Sequence, residues 1–330
     1  MMKKIAFITL GGTISAKGTN RLDLKDYKSG LIDGTFFVEN IPELKELAKI
    51  KVIPFDNVSS TQINSQHWIQ LKYDIEYYLN EKDFDGAVIS HGTNTLEETA
   101  YFLHLTVYSS KPIVLVGSQR PYTAISSDAQ LNLLNAFRVA IHPDSYGKGV
   151  LVAFNNKIHS PREVTKVDTY DVDGFQSGTM GCLGYIDAAH EIVYYREPVR
   201  KHTIDSQFSQ IKITDLPNVE IVYSYAGATG NLINHIVQSE HYQGIIMAGT
   251  GAGRFSKSEE EALLNAVEKG INVVRSSRVG NGRVVCIEPY DQLNAISGDN
   301  LNPQKARILL SLALLLDRDR NSIQEIFHQY

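Results

Sequence analysis

A chain of 330 residues can hold two domains, and a core of that size needs no disulfide or metal to stabilise it. With 43% hydrophobic and 21% charged residues, the composition is that of an ordinary soluble globular protein. A net charge of −5 gives no electrostatic footprint for nucleic acid or an anionic membrane, so neither is expected as a partner.

The opening Met1-Met2-Lys3-Lys4, followed by an apolar run over 5–10, has the form of the start of a signal peptide. Gly11-Gly12 ends that run after six residues, short of the roughly 7–15 that a signal core needs. A cytoplasmic protein whose first strand begins at once is therefore expected. The longest apolar stretch near the other end, 308–316, is well below the roughly 18 residues of a membrane span. Cys182 and Cys286 lie far apart without metal-ligand spacing, which fits free thiols in a reducing compartment.

In chain order, short β-branched runs alternate with helical patterns, the signature of βα units on a mostly parallel sheet. Strands are expected over 5–10, 52–54, 87–90, 113–116 and 149–154, with helices over 43–49, 67–80, 96–107 and 128–141. Residues 195–217 are polar and weakly periodic, and read as a linker. A second series follows, with strands over 220–223, 244–247, 272–275 and 284–287 and helices over 230–239, 256–269 and 303–317. Asn302-Pro303 opens the last helix with a capping side chain and a proline at the first helical position. The expected fold class is α/β: a larger N-terminal domain (1–194) and a smaller C-terminal one (218–330). Each has a mostly parallel sheet flanked by helices.

Two segments carry chemistry. Leu10-Gly11-Gly12-Thr13-Ile14-Ser15 and Ser90-His91-Gly92-Thr93-Asn94-Thr95 each pass from a strand through a glycine turn to a threonine. Strand ends of this kind line the ligand crevice of an open α/β sheet. Two hydroxyls so presented suggest a nucleophile and an activator. A threonine hydroxyl is a poor nucleophile until a base or hydrogen-bond network takes its proton. Lys166 serves as such a base if burial lowers its pKa. The blander readings are a helix cap for Thr13 and an exposed, salt-bridged lysine for Lys166.

Other chemistries are poorly supported. Gly249-Thr250-Gly251-Ala252-Gly253 imitates part of a dinucleotide loop but lacks the G-x-G-x-x-G spacing, and no Walker-type loop occurs. The plain reading there is a close strand–helix turn that only glycine allows. No H-E-x-x-H and no G-x-S-x-G is present, so neither a metal nor a serine nucleophile is expected.

Together with Val164-Thr165-Lys166, Val274-Arg275-Ser276-Ser277-Arg278 and Leu301-Asn302-Pro303-Gln304-Lys305-Ala306-Arg307, the two threonine segments resemble the bacterial-type L-asparaginases over nearly the whole chain. The resemblance implies cofactor-free hydrolysis of asparagine, and often of glutamine, to the acid and ammonia. It implies a homotetramer built as a dimer of dimers, or a homodimer, with active sites shared between subunits. Thr13 falls at the nucleophile, which forms an acyl-enzyme, and Tyr27 lies on a mobile lid (16–32) that polarises it. Thr93 and Lys166 match the pair that activates water. Ser60 and Thr61 match residues that grip the substrate α-carboxylate and amino group. Glu288 matches the acidic residue donated by a neighbouring subunit, with a one-residue gap.

One departure matters. Asn94 stands where the resemblance implies an aspartate that holds the substrate ammonium and pairs with the lysine. Exchanging a charge-assisted hydrogen bond for a neutral one, roughly 1.5–3 against 0.5–1.5 kcal/mol, costs about tenfold in binding. In the other direction, loss of the carboxylate makes Lys166 easier to deprotonate. Ala252 is a lesser departure, bearing on tolerance for glutamine. The alternative to an asparaginase is thus a catalytically weakened member that binds amino acids as an oligomer or acts on a different amide. A subunit of a tRNA-dependent amidotransferase fits less well, given the acidic balance and the lack of an extra N-terminal domain.

Overall fold

The structure is a computed structural model that describes residues 2–28, 30–290, 292–316 and 319–330. Met1, Ser29 of the 16–32 segment and Asp317, the last residue of the helix expected over 303–317, lie outside the described residues. The chain divides into two compact units, one ending at Lys212 and the other spanning Ile213–Tyr330. The division falls inside the polar segment 195–217. Two single 3-10 turns, Thr203–Asp205 and Gln207–Ser209, occur in that segment.

The first unit is built on eight strands: β1 (Lys4–Thr9), β2 (Lys49–Pro54), β3 (Gly86–Ser90), β4 (Ile113–Val116), β5 (Val150–Phe154), β6 (Lys157–His159), β7 (Gly184–Ile186) and β8 (Ile192–Tyr194). Their order is β8-β7-β6-β5-β4-β3-β1-β2. Strands β5 to β2 pair in parallel, and β6, β7 and β8 add antiparallel partners. Every residue of β3, β4 and β5 is buried, because helices cover both faces of a parallel sheet. That is why these strands read as unbroken apolar runs. At the edge, β2 exposes Lys49 and Lys51, and charges of this kind protect an edge from pairing with another chain. Beneath the sheet, Phe7 meets Phe137 edge-on at 5.4 Å within one continuous core.

Helices α1 (Gly34–Asn40), α2 (Glu43–Leu47), α3 (Ser65–Glu76), α4 (Leu96–Thr106) and α5 (Ala129–Ile141) connect the strands. Three differ from the sequence expectation. The helix expected over 43–49 stops at Leu47, since Ala48 is extended and Lys49 already belongs to β2. The helix expected over 67–80 starts earlier, where Asn64 and His67 form a capping box, and it runs into a π-helical turn, Tyr77–Glu81. α1 was not anticipated; Asp33 caps it by accepting from Phe36 N–H.

The second unit holds β9 (Val219–Tyr223), β10 (Gly244–Gly249), β11 (Asn272–Ser277) and β12 (Ile296–Ser297), all parallel and in that order. Helices α6 (Asn231–Ser239), α7 (Lys257–Glu268), α8 (Pro303–Ala313) and α9 (Arg320–Gln329) accompany them. The strand expected over 284–287 does not form. Val284 makes one isolated bridge to Asp299, and the fourth strand is Ile296–Ser297. The β-branched pair Val284-Val285 has another task. Val285 O accepts from the buried Arg275, whose guanidinium also binds Gly253 O and Ala252 O and lies 4.4 Å over the Tyr290 ring. The glycine turn that imitated a nucleotide loop is thus pinned by an internal arginine. Among the described residues, no helix is long and apolar enough to cross a membrane.

Candidate active site

In the first unit the chain leaves β1 toward β2 on one side, while β3 lies on the other. The crevice at such a reversal collects the carboxyl ends of both strands. The loops after β1 and β3 touch there. Gly12 has φ +84°, and a Cβ on it would fall 2.1 Å from the Gly92 Cα, so only glycine permits the approach. Each loop places a threonine one residue beyond this contact.

Thr13 opens the 3-10 turn Thr13–Ser15 and is buried. Gly12 occupies the cap, and no side-chain cap bond is made, so the helix-cap reading of Thr13 does not hold. Instead its Oγ1 lies 3.0 Å from the Tyr27 hydroxyl. Tyr27 belongs to a two-residue ribbon, Lys17–Gly18 with Tyr27–Lys28, between buried anchors at Ala16 and Ile32. The Leu31 and Ile32 N–H groups both donate to Ser15 O, which ties the returning end of the segment to the turn that carries Thr13.

Thr93 is positioned by a chain of buried hydrogen bonds that the sequence did not suggest. His91 is fully buried, and burial pushes its imidazole down to about 4, so it is neutral. Its Nδ1 faces the Gly92 carbonyl at 2.7 Å, which can only accept; the proton therefore sits on Nδ1. Nε2 then accepts from the Thr99 hydroxyl at 2.9 Å, and that oxygen accepts from Trp68 Nε1–H at 2.9 Å. Every donor in this relay has one direction. The clue in the sequence was the HGT segment followed by Thr99 one helical face onward, but Trp68 lies 31 residues from Thr99 and only packing brings it there.

Lys166 donates from Nζ to Thr93 Oγ1 at 2.8 Å, and its backbone N–H is held by the Glu97 carboxylate at 2.7 Å. It is half-buried rather than exposed, and its ammonium meets a hydroxyl rather than a salt-bridge carboxylate at that distance. Burial pushes its pKa below the usual lysine value, with Asp168 opposing the shift. Ser60 is buried. Its Oγ accepts from Asn94 N–H at 3.3 Å, and its carbonyl accepts from Thr95 Oγ1 at 2.8 Å. Thr61 is exposed, with its hydroxyl 2.9 Å from Ser59 Oγ. Glu288 is exposed in the second unit, at the start of the 3-10 turn Glu288–Tyr290. Tyr27, Thr93, Asn94 and Lys166 line one cavity of about 530 Å³, within the range of small-molecule sites. Among the described residues no group of three or more His, Cys, Asp or Glu is placed to hold a metal ion.

Paired threonines at the switch point of the larger sheet, one bonded to a tyrosine hydroxyl and the other to a half-buried lysine, form an arrangement suited to acyl transfer by hydrolysis. The family model described as "Asparaginase, N-terminal" matches residues 4–200, and that for "Glutaminase/Asparaginase C-terminal domain" matches 218–327. The chain is 42% identical over 329 residues to L-asparaginase 2 of Bacillus subtilis (strain 168), covering 100% of this chain and 87% of the relative. It is 40% identical over 331 residues to a protein of Haemophilus influenzae named "Probable L-asparaginase periplasmic", covering 100% and 93%. A crystal structure described as "Probable Cytoplasmic L-asparaginase" from Campylobacter jejuni superposes with a TM-score of 0.95 at 38% identity, covering 99% of this chain and 100% of that one. This chain belongs to the asparaginase family.

Proposed function

We propose that this protein hydrolyses L-asparagine to L-aspartate and ammonia through an acyl-enzyme on Thr13, with some activity on L-glutamine. The observation that carries the reading is the pair of short contacts, Thr13 Oγ1 to Tyr27 OH and Lys166 Nζ to Thr93 Oγ1. Each hydroxyl has within reach a group that can take its proton, the Tyr27 hydroxyl for Thr13 and, once deprotonated, the Lys166 amine for Thr93, which is what a weak nucleophile requires.

Thr13 Oγ1 attacks the side-chain amide carbon, and its proton passes to Tyr27 and on to the departing nitrogen. The C–N bond breaks, ammonia leaves, and an ester to Thr13 remains. In the second half, neutral Lys166 accepts the Thr93 proton and Thr93 takes one from a water molecule. That water attacks the ester, the bond from the acyl carbon to Thr13 breaks, and the departing Thr13 oxygen takes back one proton, which comes from Lys166 by way of Thr93 and leaves the amine neutral again. Ser60, Thr61 and Asn94 hold the α-carboxylate and amino group, and Glu288 reaches the site from a neighbouring copy in a homotetramer. Residues 16–32 act as the lid, and 195–217 link the two domains. No cofactor takes part. A cytoplasmic location agrees with the description of the C. jejuni structure, and cell fractionation tests it against the periplasmic alternative.

The decisive assay is ammonia release from L-asparagine and L-glutamine by the wild type and by Thr13→Ala. Release that disappears in the variant while the fold persists supports the reading; full activity in the variant overturns it. Light scattering tests the tetramer.

A further inference from the structure

The cleft holds an acidic side chain that this reaction scheme leaves unused. Asp168 lies two residues beyond Lys166 and lines the same cavity as Tyr27, Thr93 and Asn94. Lys166 supplies a positive charge to that lining, Lys25 is ion-paired with Asp26 at 3.7 Å, and Asp168 is the lining's one carboxylate among the described residues. Asparagine enters as a zwitterion. Within one copy, its α-ammonium would meet the Lys166 charge and the neutral amide of Asn94, leaving Glu288 of a neighbouring copy as the one acidic group the scheme above provides, and like charges brought together repel.

Resting on the asparaginase reading above, we propose that Asp168 joins the groups that receive the α-ammonium of the substrate, supplying the negative charge that Asn94 lacks. The carboxylate is already fixed for this purpose. Tyr170 N–H and Asp171 N–H both donate to Oδ1 at 2.8 Å. The Asp168 carbonyl accepts from Gln119 Nε2 at 3.2 Å, and Gln119 lines the cavity too. These backbone N–H bonds hold the carboxyl below the usual carboxylate range, so it is charged whenever substrate is present. Both bonds fall on one oxygen, and a second carboxylate oxygen can accept from an ammonium while the turn stays intact. A group held in place before binding loses little freedom when the ligand arrives. Asn94 then accepts one further ammonium hydrogen through its amide oxygen.

The test compares L-aspartate with succinate, which has the same two carboxylates and no ammonium, by titration calorimetry. Asp168→Asn is the informative variant, because its amide oxygen can still accept from Tyr170 and Asp171 while the charge is lost. Aspartate binding is expected to weaken about tenfold in this variant, with succinate unchanged or tighter, and Asn94→Asp in the same chain should restore aspartate binding. In turnover, KM for L-asparagine rises with kcat largely kept. The pH limb of kcat moves to lower pH, since Asp168 no longer favours the charged form of Lys166. Unchanged aspartate binding, equal weakening of both ligands, or failure of Asn94→Asp to rescue would each overturn the assignment. A wild type that releases no ammonia but still shows this aspartate-specific loss would overturn the asparaginase reading and leave Asp168 as the ammonium site.

Discussion

Replacing Thr99 with valine removes one hydroxyl that serves two buried partners. Valine fills nearly the same space, so no large cavity opens and the loss is one of hydrogen bonding. It removes the hydroxyl that His91 Nε2 and Trp68 Nε1–H both bond, in a place where Thr99 and His91 are both 0% exposed and Trp68 is 4% exposed. Loss of each buried bond costs about 1–3 kcal/mol, and because the two share one site their sum is not strictly additive. The expected destabilisation is about 2–5 kcal/mol. Thr99→Ser keeps the hydroxyl and loses one methyl group, so it should cost only about 1 kcal/mol. Trp68 is the sole tryptophan of the chain, so its fluorescence reports on this relay during urea unfolding. The midpoint should fall in Thr99→Val and stay close to wild type in Thr99→Ser. kcat should fall in the valine variant as well, because His91 fixes the Gly92 carbonyl that precedes Thr93. A valine variant within about 0.5 kcal/mol of wild type, with unchanged tryptophan emission, refutes the relay as a structural element.

The same histidine makes stability depend on pH. His91 titrates at about 4 when folded and near 6.5 when unfolded, so below pH 6.5 the unfolded chain binds more protons. Its contribution is intact above pH 6.5 and is lost as pH falls toward 4. At 1.36 kcal/mol per unit the loss reaches about 3 kcal/mol, read as urea midpoints across that window. In His91→Gln that part of the slope should vanish. Gly12→Ala places a methyl group against the Gly92 backbone at a left-handed φ; it should abolish activity and lower stability by more than about 2 kcal/mol, measured by ammonia release and thermal unfolding. Lys166→Met should lower kcat by about 10²–10⁴ while aspartate still binds, checked by steady-state kinetics beside calorimetry. In the wild type, kcat should rise with pH through a limb lying below the ordinary lysine pKa, because the neutral amine is the base and burial favours it.

The sequence by itself determined the elements whose signals are local. Unbroken apolar runs located β3, β4 and β5 because these strands are covered on both faces, and Asn302-Pro303 marked the start of α8 because a cap and a first-turn proline act within one turn. The glycine turns before Thr13 and Thr93 were legible for the same reason: a left-handed φ at Gly12, and close approaches at Gly12 and Gly92, restrict residue choice at single positions. Antiparallel β6, β7 and β8 went unread because three-residue strands carry too little periodicity. The strand expected over 284–287 was misplaced because β-branched residues report a fit to a pleated surface, and here Val284 and Val285 serve the Arg275 turn instead. At the site, residue types and spacing identified Thr13, Thr93 and Lys166 as candidates and the family resemblance added Tyr27, but only tertiary structure set the half-buried state of Lys166 that pushes its pKa down. Tertiary structure also joined Trp68 to Thr99 and His91, and placed Asp168 in the cavity with Asn94. Burial, electrostatic coupling and hydrogen-bond direction belong to pairs of residues far apart in the chain, so they exist only once the sheet and its loops have closed around them.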